Sequence, residues 1–355
     1  MIISFNPKII RDQSSEIQAK LAKIFILFLE DNHLIDISSI DDIFFDDQNK
    51  YVFDQTFIAK KYLSYSDNQN LKEYICNIRQ SITKLHRQYL TKLVIGNDLG
   101  EIHPDDAYRI LKERSIVIVE NNPNDWKFIR GIIDKYQSFG KRKNIYKLIK
   151  KSLDSDSHYL TYDHAGGSGI QAQIESWVNG IYHNIYNFKL MALFDSDKRH
   201  ANDFKQDYKN LLAYLKARSI SNPPAENDLI YEENDLIVWH MLFKRCIENY
   251  IPLDIMIMNI TDLTDDHKAN LKSLSPSDAD FVQYYNPEGK SRNYYISIGK
   301  NKVKDQFPSM FLSDFAPNEL EKRCSHHQVS ILHSDGTTER ISEIEQILLK
   351  IAKII

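Results

Sequence analysis

The sequence predicts an α/β protein: a mostly parallel sheet flanked by helices, preceded by a mainly helical region over residues 1–112. Two observations carry this expectation. Compact apolar runs at 115–119 and 190–194 alternate with stretches of helical apolar spacing, the order that produces crossover units and parallel sheets. Each of these runs also stops abruptly at an acidic residue, Glu120 and Asp195, and ligands of such sheets bind beyond the carboxyl ends of the strands.

Taken in order, residues 16–30 carry Ile17, Leu21, Ile24, Phe25 and Phe28 at helical spacing, and 71–95 repeats the pattern from Tyr74 and Ile75 onward through Ile82 and Leu85. The acidic, aromatic stretch 41–54 has no clear period. Pro104 opens a helix over 105–114, at a position where its missing N–H costs nothing. The run 115–119 is a strand, 125–136 a helix, and 159–162 a second strand ending in His164-Ala165-Gly166-Gly167-Ser168-Gly169. The third strand, 190–194, leads into a helix over about 201–218. Strands at 229–231 and 236–239, a helix from 244 to 250, a strand at 294–298 and a helix at 341–355 complete the reading. The expected units are 1–112, a site-bearing domain at 113–260, and an α/β extension at 261–355 packed on it.

Composition narrows the function. At 42% hydrophobic the 355 residues can build a large core, yet they contain no run of eighteen apolar residues to span a bilayer. The N-terminus lacks the order of a signal peptide. Cys76, Cys246 and Cys324 are odd in number and widely spaced, which suits a reducing cytoplasm and offers no CxxC metal site. A net charge of -4 neither requires nor excludes nucleic acid.

The chemistry is expected at three acids. Mg²⁺ takes oxygen ligands, with one or two carboxylates beside water and phosphate. On an extended segment Asp195 and Asp197 would share a face, and Glu120 joins them if its strand lies alongside. Three converging acids repel one another unless a cation neutralises them. The ordinary alternative for an Asp-x-Asp is a turn or cap. The glycines at 166–169 offer a phosphate cradle, with Gly166, Gly167 and Ser168 as backbone donors; a strand-to-helix turn without ligand fits equally. No Walker lysine or dinucleotide spacing accompanies them. Lys244, Arg245 and Glu248 fall on one face if 244–250 is helical, and Lys198 follows the acidic pair, so Lys198, Lys244 and Arg245 are candidate phosphate contacts. His240 reads either as a general base or as a half-buried strand-end histidine.

Glu120, the Gly-rich step, Asp195-x-Asp197 and Lys244-Arg245-x-Ile247-Glu248-Asn249-Tyr250 together resemble the TOPRIM domain, a Rossmann-like fold. The likeness is greatest to the branch in OLD-family nucleases and their relatives in anti-phage defence, and it covers roughly 115–260. It implies a Mg²⁺- or Mn²⁺-dependent nuclease acting on DNA or RNA by a two-metal mechanism. Glu120, Asp195, Asp197, Lys244 and Glu248 would be catalytic, and Glu120, Asp125, Asp195 and Asp197 would hold metal. Asp125 occupies the place of a second acid in relatives, although Asn121-Asn122-Pro123-Asn124 replaces the usual glycine and short loop. Relatives often work beside an ABC-type ATPase. This chain has no Walker A motif, so such a partner would be separate, and residues 1–112 would serve docking, homodimer formation or substrate reading. Topoisomerase and primase readings lack their companion modules here. A sensor or adaptor of the same fold, without catalysis, is the alternative.

Overall fold

A computed structural model describes the chain except residues 12–13, 31–32, 82–88, 156–158, 181–182, 261–262, 285–299 and 333–335. The expected strand at 294–298 lies outside the described residues. Four parallel strands form the central sheet: β4 (Ser115–Val119), β5 (Leu160–His164), β6 (Leu190–Phe194) and β7 (Val238–Met241), in the order β5-β4-β6-β7. The apolar runs form strands because both faces are covered, so every residue of β4 and β6 is buried.

Alternate residues serve different cores. Val117, Val119, Met191 and Leu193 point into one, shared with Phe128 and Ile132 of helix Asn124–Tyr136 and Ile344, Ile347 and Ile351 of helix Glu343–Ile354. Ile116, Ile118, Leu190, Ala192 and Phe194 point into the other, shared with Ile3 and Phe5 and with Phe25 and Phe28 of helix Ser15–Leu29.

Residues 1–112 contain the expected helices, and they also contain a second parallel sheet that the sequence reading missed. Its strands β1 (Ile2–Phe5), β2 (Leu34–Ile35) and β3 (Lys92–Ile95) run in the order β2-β1-β3. The helix read from 71 to 95 is Tyr65–Ser81, and its expected last turns give way to β3; Ile82 and Leu85 lie outside the described residues. Residues 229–231 form no strand, because Glu226–Leu229 is a short 3-10 turn. The C-terminal helix is preceded by an antiparallel hairpin, β8 (Gln328–Leu332) and β9 (Thr338–Ser342). Among the described residues no helix is long and apolar enough to cross a membrane.

Helix Lys300–Ser313 lies against helix Asn124–Tyr136 where Gly131 removes the obstacle of a side chain: a Cβ there would sit 2.3 Å from the Phe311 carbonyl oxygen. Gly131→Ala should therefore cost about 1–3 kcal/mol through overpacking, read as a lower urea midpoint at unchanged slope.

Candidate metal and phosphate site

The register of the sheet assembles the acids. β4 pairs with β6 (Ile116 opposite Leu190, Ile118 opposite Ala192), so Glu120 and Asp195 leave adjacent strands at the same edge. The Asp195 N–H donates to Glu120 Oε1 at 3.0 Å, and the Tyr208 hydroxyl donates to the same oxygen at 3.2 Å. Asp125, buried at the start of helix Asn124–Tyr136, accepts the Asn121 N–H at 2.8 Å. Glu248 is buried, and Lys304 Nζ lies 3.7 Å from its Oε1.

Asp197 reaches the site differently from the sequence expectation. The chain does not continue extended past Phe194; Asp197 has φ of 53°, a left-handed conformation that Asp tolerates better than most residues. Two carbonyl contacts hold this turn: the Ser196 and Asp197 N–H groups both donate to Arg245 O, at 3.1 and 2.9 Å. The turn places Asp197 between two open clefts. One, of about 150 Å³, is lined by Asp195, Asp197, Arg245, Glu248, Tyr284 and Lys304 among others. The second, of about 180 Å³, includes Glu120, Gly167, Gln171, Asp197, Lys205 and Tyr208.

Burial and crowding both raise the proton affinity of the acids. Burial, then the charges of Asp197 and Asp125, pushes the Glu120 carboxyl up to about 8. Burial and Glu248 push Asp125 up to about 7. Asp195 is raised well above the carboxylate range by burial, Glu120 and Asp125 in that order. Asp197, by contrast, is ion-paired with Lys205 Nζ at 2.6 Å.

The phosphate candidates divide. Gly166 and Gly167 both have positive φ and stand before helix Ile170–Val178; Gly167 lines the second cleft. Ser168 follows them in the same short turn. Arg245 lines the first cleft, with Nη1 donating to Lys198 O at 3.1 Å. Lys198 itself is partly buried, which lowers its ammonium pKa. Lys244 is a correction. Residues 244–250 are not a helix: only Ile247–Tyr250 forms a 3-10 turn, and Cys246 is extended. The Lys244 ammonium is fully buried against Asp280 Oδ1, so it lines neither cleft. His240 is likewise buried, between Glu343 Oε1 and Lys350 Nζ at 2.9 Å each, and burial lowers it to about 4. It is structural here. Lys205, Tyr208 and Lys304 were missed; each lies outside the motifs, and none carries a spacing signal.

Asp280, His326 and His327 have the donor set of a transition-metal site, with ligand atoms within 4.8 Å of one another. The carboxylate is already occupied, however. Oδ2 receives both imidazole Nε2 atoms at 2.5 and 2.6 Å, and Oδ1 receives Lys244 and Arg323. Two buried cations on one carboxylate oppose a third. The acids at the sheet edge offer oxygen donors only, the donor type of a hard divalent cation; among the described residues they form no group of three with ligand atoms as close together as those of the Asp280 cluster. No protein-family model matches the chain, and no curated protein or solved structure shows significant similarity to it.

Raised carboxyl pKa values fix a sign. Below about pH 4 folded and unfolded acids are both protonated; as pH rises towards 8, the unfolded acids ionise while Glu120 and Asp125 hold protons, and stability is lost. Buried Lys189 and Lys350, both lowered to about 7, add the opposite slope above pH 7. The difference between variants isolates the cluster: metal-free Glu120→Gln should gain stability relative to wild type progressively from pH 5 to 8, measured by urea unfolding at each pH.

Proposed function

We propose that the protein is a divalent-metal-dependent phosphodiester hydrolase with a TOPRIM-like site, a nuclease of DNA or RNA. The supporting observation is the gathering of Glu120, Asp125, Asp195, Asp197 and Glu248 at one edge of a parallel sheet, with cationic side chains on the rim of the same clefts. Burial first, and then one another's charge, raise the proton affinity of these acids, and a cation would let them ionise together. Phosphate brought against them needs the basic rim.

Glu120, Asp195 and Asp197 would hold Mg²⁺ or Mn²⁺, with Asp125 and Glu248 close enough electrostatically to support a second ion. When bound, such ions polarise a phosphoryl oxygen and acidify water, and a pair can stabilise attacking and leaving oxygens together. The chain's own residues do the rest. Arg245 presents a planar fork suited to phosphate, and Lys304 brings a second positive charge to the same cleft. Lys205 and the Gly167 turn border the other cleft, so a strand crossing Asp197 would meet cations on both sides. A role as a toxic effector in anti-phage defence, switched by a separate ABC-type ATPase, rests on the sequence resemblance alone.

Purified protein given Mg²⁺ or Mn²⁺ should cut DNA or RNA, and EDTA should abolish the cleavage. Asp195→Asn should lower the rate by at least about a hundredfold. Undiminished cleavage in chelator, or in Asp195→Asn, would sink the proposal; metal and nucleic-acid binding with no cleavage would leave an adaptor. The corrected lysine gives a contrast. Arg245→Ala should weaken nucleic-acid binding and reduce the salt slope by about one phosphate contact. Lys244→Met should chiefly destabilise the fold, by about 3–5 kcal/mol, because it strips a buried carboxylate of a partner.

A further inference from the structure

We infer that Tyr208 is a positioning residue that reserves one oxygen of Glu120 for the cation, an inference that rests on the metal-dependent reading of this site. Tyr208 stands near the start of helix Gln206–Leu215, which Leu211, Leu212 and Leu215 anchor in the core. Its ring lies parallel to Phe194, 5.9 Å between centroids and 6° between planes, and Phe194 is stacked in turn on Trp239 at 6.2 Å. This pile runs from the core to the cleft and leaves the phenol little freedom to swing.

The consequence is a division of labour within one carboxylate. Glu120 Oε1 accepts two hydrogen bonds, from the Asp195 N–H and the Tyr208 hydroxyl, which uses its two lone-pair directions. Among the described residues no hydrogen bond reaches Oε2. A carboxylate gripped by one oxygen presents the other in a fixed direction, as partners of metal-ligating carboxylates commonly arrange.

The test is Mn²⁺ titration of the full chain by electron paramagnetic resonance, comparing wild type, Tyr208→Phe and Glu120→Gln. Phe keeps the ring stack and removes only the hydroxyl. We expect Tyr208→Phe to raise the Mn²⁺ Kd about 10- to 100-fold, with an unchanged urea midpoint and with nuclease activity restored at saturating Mn²⁺. Wild-type affinity in Tyr208→Phe overturns the positioning role and leaves the nuclease reading standing. A deficit that persists at saturating Mn²⁺ also overturns it. Absence of Mn²⁺ binding by wild type removes the metal reading and this inference with it, as would strong binding untouched by Glu120→Gln.

Discussion

The hydrogen bond from the Asp195 N–H to Glu120 Oε1 ties the site to the sheet. It exists because β4 and β6 are parallel neighbours in register, so both chains end at the same level. Antiparallel pairing would send the two acids to opposite edges. Parallel pairing in turn needs crossover connections and cover on both faces, and this protein devotes most of its chain to that cover. Residues 1–112 together with helices Ile170–Val178 and Gln206–Leu215 supply one face, and helix Asn124–Tyr136 with the C-terminal helices the other.

Bringing acids together at a partly dry edge is unfavourable, and the fold meets the cost locally. Backbone donors reach Glu120 and Asp125, while Lys205 and Lys304 approach Asp197 and Glu248. What remains raises the carboxyl pKa values of Glu120, Asp125 and Asp195. On the metal-dependent reading proposed above, a bound cation would displace these protons, and its affinity would rise with pH.

The strands at 115–119 and 190–194 are legible in the sequence because burial on both faces leaves them almost wholly apolar, Ser115 at the start of the first being the one polar residue. The acids at their ends are legible for the same reason, as sharp stops in an apolar run. β1 and β3 are harder: each is four residues long, and a run that short can be read as one turn of a helix face. The segment 244–250 misleads in a different way. Its spacing suits a helix, but Arg245 N–H bonds to Asp280 O, and the Asn249 amide donates to Ala279 and Val282 carbonyls. These partners lie some thirty residues away and leave no mark on local periodicity. Tyr208 and Lys304 escape for the same reason, since only the folded chain brings them to the acids.

The segment that misled also shows how the site is held. Asp280 gathers Lys244, Arg323, His326 and His327 around a buried carboxylate, while its own carbonyl accepts the Arg245 N–H. Arg245 O then accepts the Ser196 and Asp197 N–H groups, and the Lys244 carbonyl accepts the Ser196 hydroxyl. One chain of bonds thus runs from the Asp280 cluster through 244–245 to the turn that presents Asp197. The two charged centres have opposite characters. At Asp280 cations and imidazoles saturate a single acid; at the sheet edge acids outnumber their cationic partners. Lys244 therefore serves the acidic site from behind: it fixes the loop whose carbonyls hold Asp197 in its left-handed conformation, and its side chain never needs to enter the cleft.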